Sequence, residues 1–491
     1  MKKLNKLFKY FIYAMPVALF FSYEPVMTLG TSSSMNFELS IPLIWLCLFD
    51  LLVVVMMVKK KVLFKDLKRK WVWLLFPVWL SLSVLWSMNF MRGVLTVGIL
   101  WLLCIAVDGM WTFRKLFDDE FKRGFLCWFF GASLVICLVC ILQCVLDLVG
   151  VAREYSLICQ GCTYSMFGFS HPDGFSIEPQ FMGNLLLAPT LTAAWLIICK
   201  KNRSDTYRTR VQNPCRHRGS GANFRLVRLR NVFKIPLPVL FAILSITLFL
   251  TFSRGAIYAF FVSVLVMSVW SVVEAKKTWK NALKRVLMIW GVVVLSFGLT
   301  LSAQGLMAEL SPTNDTFKSG VSKVLNHLTL GVIDVNNDPS VIDELTGAEA
   351  VENSVDKSGE KSVFDGYVKE STDTRLKLSS SGLNVWSSDF ATAFFGVGLG
   401  GAGEALYVNN LTSEPKEIVQ NQYVSILLEA GLVGVSLLML TIVLIVKLVL
   451  KRDSRVLIVS LIIAYAFTLC FFSGLPNALH IYLLPVVLMF L

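Results

Sequence analysis

The chain has 491 residues with a mean hydropathy of +0.66, and 55% of them are hydrophobic while only 16% are charged. Soluble chains carry about 25% charged residues, so this composition excludes a set of soluble domains, disorder, collagen and a small disulfide scaffold. Lys and Arg number 46 against 33 Asp and Glu, a net charge of +13, and the placement of that excess decides between nucleic acid and membrane topology.

A bilayer core about 30 Å thick needs roughly 20 apolar residues as helix. About twelve such runs follow one another, which predicts an all-α, polytopic membrane protein with about twelve transmembrane helices. An N-terminal run over Leu7 to Met27 is interrupted by Glu24 and Pro25. Its lysine-rich start (Lys2, Lys3, Lys6, Lys9) reads as an uncleaved anchor and not a signal peptide. Then come Leu39 to Val58, Trp71 to Trp86, Phe90 to Val107, Phe125 to Val149, Phe181 to Cys199, Ile235 to Phe252, Ala256 to Val273, Val286 to Leu301, Val424 to Val446 and Val456 to Phe472. The last run, Ala478 to Leu491, is too short to cross unaided. The organisation expected is spans one to nine over residues 1–301, a long loop over 302–422 and C-terminal spans over 423–491.

When loops are assigned alternately to two sides, one set holds 35 of the 46 Lys and Arg, with the densest stretch in 200–234. Basic loops stay cytoplasmic, so both termini are expected on the cytoplasmic side of the membrane. The charge excess is then explained without nucleic acid. The Arg203 to Arg230 stretch reads as a positive-inside anchor, with contact to anionic membrane lipids as an added role.

Two loops on the opposite side are large enough for chemistry. Gly150 to Pro179 is rich in aromatics and carries His171, Asp173 and Glu178. Its Cys159 and Cys162 are either a local disulfide or two thiols; zinc would need further ligands than His171. In the longer loop, the acidic stretch Asp334 to Asp373 lacks periodicity and predicts a solvated, partly disordered insertion. It is followed by Arg375, Trp386 and the glycine run GVGLGGAG from Gly396. Glycine amides in such a run form anion-binding nests. No phosphate-binding GK[ST] loop, HExxH or metal-ligand cluster is present in the sequence, so neither a metal nor another cofactor is expected.

Arg254 is the most informative residue, because TFSRGAIYAF joins two apolar spans without room for a water-exposed hairpin. An arginine at the helix centre costs about 2.5 to 3.5 kcal/mol, and less near an interface. Snorkelling to headgroups is one resolution; capture of an anionic substrate by a planar guanidinium fork is the other.

The stretch VQNQYVSILLEAGLVGVSLL places Gln420 and Asn421 before Gly431 and Gly434. With TFSRGAI around Arg254, Arg375 and Trp386 leading into GVGLG, and FSIEPQFMGNLL around Glu178, the chain resembles the O-antigen ligase and polymerase family. The family's histidine position is occupied here by Gln420. The resemblance implies a metal-independent glycosyltransferase that uses a glycan donor carried on undecaprenyl diphosphate and a glycan or lipid acceptor. A chain-length regulator is a further partner it allows. Arg254 and Arg375 would bind the diphosphate. Gln420 would be catalytic and Asn421, Tyr423, His171 and Asp173 substrate-binding, and an amide at 420 orients a hydroxyl but takes no proton. The outward candidates for a base are Glu178, Asp173 and His171, with Glu429 a further candidate in the span itself, and Glu178 reads equally well as a carboxylate at a helix start. The competing reading is a flippase or other transporter of lipid-linked glycans. Transporters of that kind carry internal repeats, and none is evident in the sequence.

Overall fold

The computed structural model describes residues 1–21, 27–32, 35–62, 67–148, 170–176, 178–198, 235–275, 278–310, 316–329, 363–415, 419–452, 454–472 and 478–491. The Cys159 and Cys162 pair, the aromatics Tyr164, Phe167 and Phe169, the basic stretch over 200–234 and most of the acidic insertion lie outside the described residues.

Hydropathy dictates the architecture. Among the described residues seven helices are long and apolar enough to cross a membrane: α2 (Ile41–Lys59), α4 (Phe90–Thr112), α5 (Asp119–Leu148), α6 (Pro179–Ile198), α8 (Arg254–Glu274), α9 (Trp279–Leu310) and α14 (Gln422–Val449). Shorter apolar helices complete the bundle: α3 (Leu67–Ser83, continued by a 3-10 turn to Trp86), α7 (Leu237–Leu250), α15 (Arg455–Thr468) and α16 (Leu479–Leu488). The N-terminal run forms α1 (Lys2–Phe20). It ends before Glu24 and Pro25, and the chain continues as an antiparallel hairpin, β1 (Met27–Ser32) with β2 (Met35–Leu39). Among the described residues the protein is otherwise all-α, and its apolar helices make it multi-pass. Four helices stand outside the spans in the long loop: α10 (Phe317–Leu328), α11 (Val363–Trp386), α12 (Phe390–Phe395) and α13 (Ala402–Val408). Helix α11 begins inside the acidic stretch expected to be disordered, so its last residues, 363–373, are helical backbone.

Helix α6 is the axis of the fold, packed against α1, α5, α7, α8, α9, α15 and α16. Lipid does not drive helices together as water does, so close packing and satisfied polar groups must hold such a bundle. Accordingly, Thr190 and Thr192 on α6 are buried and donate to the carbonyls one turn back, at 2.6 and 2.7 Å. Gly183 lets the helix approach the α7–α8 turn: a Cβ there would meet Ser253 Cβ at 2.8 Å and Ala256 Cβ at 2.9 Å.

Polar contacts tie the two ends of the bundle separately. At one end Lys9 bridges Asp118 at 2.7 Å, Arg455 pairs with Glu274, Arg285 donates to the last carbonyl of α6 (Ile198) at 2.6 Å, and Lys122 reaches the Leu491 carbonyl. At the other end Gln180 donates to the Phe471 carbonyl and the Gln422 amide to the Leu469 carbonyl. The described basic loops therefore share one face, and the turn carrying Arg254 lies on the opposite one.

Candidate functional site

The turn from α7 to α8 occupies only Thr251, Phe252 and Ser253, as the sequence required. Phe252 takes φ = +45°, a left-handed conformation that a bulky residue rarely adopts. Strain of that kind persists only where its surroundings hold it, and several groups hold this turn. Thr251 Oγ1 bonds back to the Leu248 carbonyl at 2.7 Å, and His327 Nε2, in the last turn of α10, donates to the Phe252 carbonyl at 3.2 Å. Tyr258, one turn into α8, donates to the Leu328 carbonyl and so clamps the end of α10 to α8.

Helix α10 reaches this position by close packing on α9. A Cβ on Gly320 would meet Ala308 Cβ at 2.6 Å, and one on Gly305 would meet the Phe317 ring at 2.6 Å. Thr316 caps the start of α10 by accepting from Ser319 N.

Four groups meet above the turn. The His327 ring lies edge-to-face on His171 with centroids 5.6 Å apart, and His171 packs edge-on against Phe252 at 5.9 Å. Burial, then the charge of Arg254, then more weakly that of Arg375, push the His327 imidazole down to about 3, against the raising effect of its bond to Phe252. His171 is held well below its ordinary value by burial, by His327 and by Arg254. Residues 171, 254, 327 and 375 thus come together although they span about 200 positions of sequence. Arg254 itself is the first residue of α8, with no acidic residue in that turn. A cation there opposes the positive end of the helix dipole.

His171 is delivered by a short segment, 170–176, folded into the bundle. Gln143 on α5 donates to Asp173 Oδ1 at 2.8 Å and to the Gly174 carbonyl at 2.9 Å, and accepts from the Gly174 amide at 2.8 Å. Gly174 has φ = +62°, and a Cβ would strike Met182 Cε at 2.3 Å. Asp173 is fully buried in this clasp, so its carboxylate shapes the segment.

The remaining sequence candidates stand elsewhere on the same face. Glu178 is exposed at the start of α6, its carbonyl accepting the Phe181 amide at 3.0 Å. Gln420 is half-buried beside the start of α14. Asn421 caps α14, accepting from Tyr423 N at 3.0 Å and Val424 N at 3.2 Å, and Tyr423 Oη donates to the Ala466 carbonyl at 2.7 Å. Asn421 thereby fixes the start of α14, and Tyr423 ties α14 to α15.

The glycine run has a different use from the anion nest expected. Gly396, Gly398 and Gly400 all have positive φ, and so does Gly431, where α14 is broken. The Val397 and Gly398 amides pair with the Leu428 and Glu429 carbonyls freed by the break, at 2.9 and 3.0 Å. The Gly400 and Ala402 amides donate to the Glu429 carboxylate, near the charge of Arg92. The nest exists, and the carboxylate in it is the protein's own. A Cβ on Gly431 would meet the Phe394 carbonyl oxygen at 2.3 Å, while Gly434 lies against Trp79. Trp386 donates to the Ala393 carbonyl at 3.0 Å.

The arginine turn, α10, Arg375, the glycine run and the broken helix all fall within one stretch. Residues 239–439 match the family model described as O-antigen ligase. No curated protein sequence matches the chain. The resemblance read from Arg254, Arg375 and the Gln420 to Gly434 spacing therefore holds over residues 239–439, and the protein is a multi-pass membrane protein with a stretch similar to O-antigen ligases. His171, Asp173 and Glu178 lie outside the matched stretch. His327 lies inside it and was not singled out by the sequence reading.

Proposed function

We propose that the protein forms glycosidic bonds on the outer face of a bacterial cytoplasmic membrane, taking the glycan from an undecaprenyl diphosphate carrier, with both termini on the inner side. The observation that carries this reading is that Arg254 and Arg375, about 120 residues apart, act on one imidazole within the stretch that resembles O-antigen ligases. An acceptor hydroxyl attacks the anomeric carbon, and the bond to the diphosphate breaks with its electron pair. The negative charge that grows on the diphosphate is met by two guanidinium groups and by the first-turn amides of α8. Such preorganised charge is commonly the largest catalytic contribution, and it also answers the cost of placing a cation at a helix start in lipid.

Gln420 orients the acceptor hydroxyl. Glu178, exposed at the outer end of α6, is the carboxylate with the access to water that a proton acceptor needs. The long loop between α9 and α14 supplies Arg375 and α10, and the C-terminal helices close the bundle beneath them. Chain extension is preferred over transfer to a separate acceptor, because the histidine of the ligase motif is Gln420 here.

Purified protein in liposomes, given a lipid-diphosphate-linked repeat unit, should yield a ladder of lengthening products. Transfer only to a separate acceptor would mark a ligase, and movement of the glycan across the bilayer without bond formation would mark a transporter. Glu178→Gln should lower turnover by about 10² or more while Gln420→His is tolerated; wild-type turnover in Glu178→Gln removes the carboxylate from the reaction.

A further inference from the structure

The mechanism above uses two arginines and leaves His327 unexplained. It is a buried imidazole, 8% exposed, on a helix that packing, capping and the Tyr258 clasp all drive toward Arg254. It faces the two arginines that the proposed function assigns to the diphosphate. Its bond to a carbonyl, which only accepts, makes Nε2 the protonated nitrogen of the neutral ring and leaves the basic lone pair on Nδ1.

We propose that His327 is the third ligand of the diphosphate: a neutral imidazole while the site is empty, which takes up a proton at Nδ1 as the anion arrives and becomes a third cation against it. The proposal rests on the diphosphate reading above.

The charged and titratable groups facing the ring from each element around it are Arg254 on α8, Arg375 on α11 and His171 on the 170–176 segment. The face that α9 turns to α10, through Gln304, Gly305 and Ala308, is uncharged, and Lys323 lies one turn earlier on α10 itself. In the empty site three positive groups so close would repel one another, and the imidazole is the one that can shed its charge. A dianionic diphosphate reverses the sign of that field. The position of His327 in the last turn of α10 also favours the protonated ring, since the helix dipole is negative there. No covalent bond changes: the proton comes from solvent and returns to it when the diphosphate leaves. An imidazole that is charged only while the anion is present binds the leaving group without the standing repulsion that a third arginine would impose.

The test is calorimetry on the full-length protein in detergent or nanodiscs, in two buffers of different ionisation enthalpy. The probe is a short-chain polyprenyl diphospho-sugar, whose two phosphates are both diesters and so release no proton of their own near neutrality. Wild-type protein should take up a proton on binding, with uptake growing as pH falls from about 8 to about 6. His327→Gln retains an amide donor for the Phe252 carbonyl. It should keep the thermal midpoint, lose the uptake and bind the probe roughly tenfold more weakly. Binding without uptake in the wild type, or uptake unchanged in His327→Gln, overturns the role of His327 and leaves the diphosphate site standing. Folded wild-type protein that does not bind the probe overturns the diphosphate reading, and this inference with it. The two-buffer measurement on the wild type needs no variant, so a misfolded His327→Gln would not shield the proposal.

Discussion

Two interruptions of helix face the same side of the bundle, and they use charge in opposite ways. At Gly431 the chain breaks α14 and surrounds its own Glu429 with amides from Gly400 and Ala402 and with the charge of Arg92. At Phe252 the chain turns from α7 into α8 through a strained residue and sets Arg254 among two histidines and Arg375. The first interruption fills its amides with its own carboxylate. The second accumulates positive groups with no carboxylate among the groups that shift its imidazoles, the arrangement on which the proposed function rests. Glycines alone do not distinguish a binding loop from a structural one; what already fills the amides does.

The comparison breaks first, and with the largest effect, at the arginines. Arg254→Ala and Arg375→Ala should each lower product formation by about 10² to 10³ or more, the scale of removing a preorganised charge-stabilising donor, while the protein accumulates normally in membranes. Full activity in either variant would remove that residue from the site.

The converse holds at the other interruption. Glu429→Ala leaves the Gly400 and Ala402 amides without their acceptor, a loss of about 1 to 3 kcal/mol. Gly431→Ala adds a Cβ against the Phe394 carbonyl at a positive φ. Both should reduce accumulation and thermal midpoint, yet turnover per folded molecule should stay within a few-fold of wild type. Loss of turnover at unchanged stability would make the glycine run part of the reaction.

The smallest effect sharpens the histidine side. His327 has a folded-state value of about 3, below the ordinary value of 6.5, so the unfolded chain binds the proton more readily. The stability it contributes is present above the unfolded value and falls away as pH drops through 6.5 toward 3, with a slope of up to about 1.4 kcal/mol per pH unit for a single group. In the absence of ligand, the thermal midpoint should decline from about pH 7 to about pH 5 in the wild type and decline less in His327→Gln. Equal slopes would mean that the imidazole is not buried as a neutral ring.

The spans were legible because a run of apolar residues with a minimum length is a strong signal in lipid, and the brevity of TFSRGAI fixed Arg254 at a turn. Three features were hidden for identifiable reasons. His327 has no motif around it and lies 73 residues after Arg254; the available signal was helical spacing, since Val324 and Leu328 share its buried face on α10. The role of the glycine run depends on Glu429, a partner far along the chain. The clasp on Asp173 depends on Gln143, which only the fold brings to it.

The broken helix also sets an order of events. The carbonyls of Leu428, Glu429 and Ala430 are satisfied by Val397, Gly398 and the Trp79 indole at 2.9, 3.0 and 3.0 Å, all supplied from outside α14. Backbone groups left open in hydrocarbon cost several kcal/mol each. The end of α14 nearest the long loop therefore reaches its final shape only once that loop has docked on α3, and the loop, although it carries candidate site residues, is also a late-arriving piece of the transmembrane scaffold.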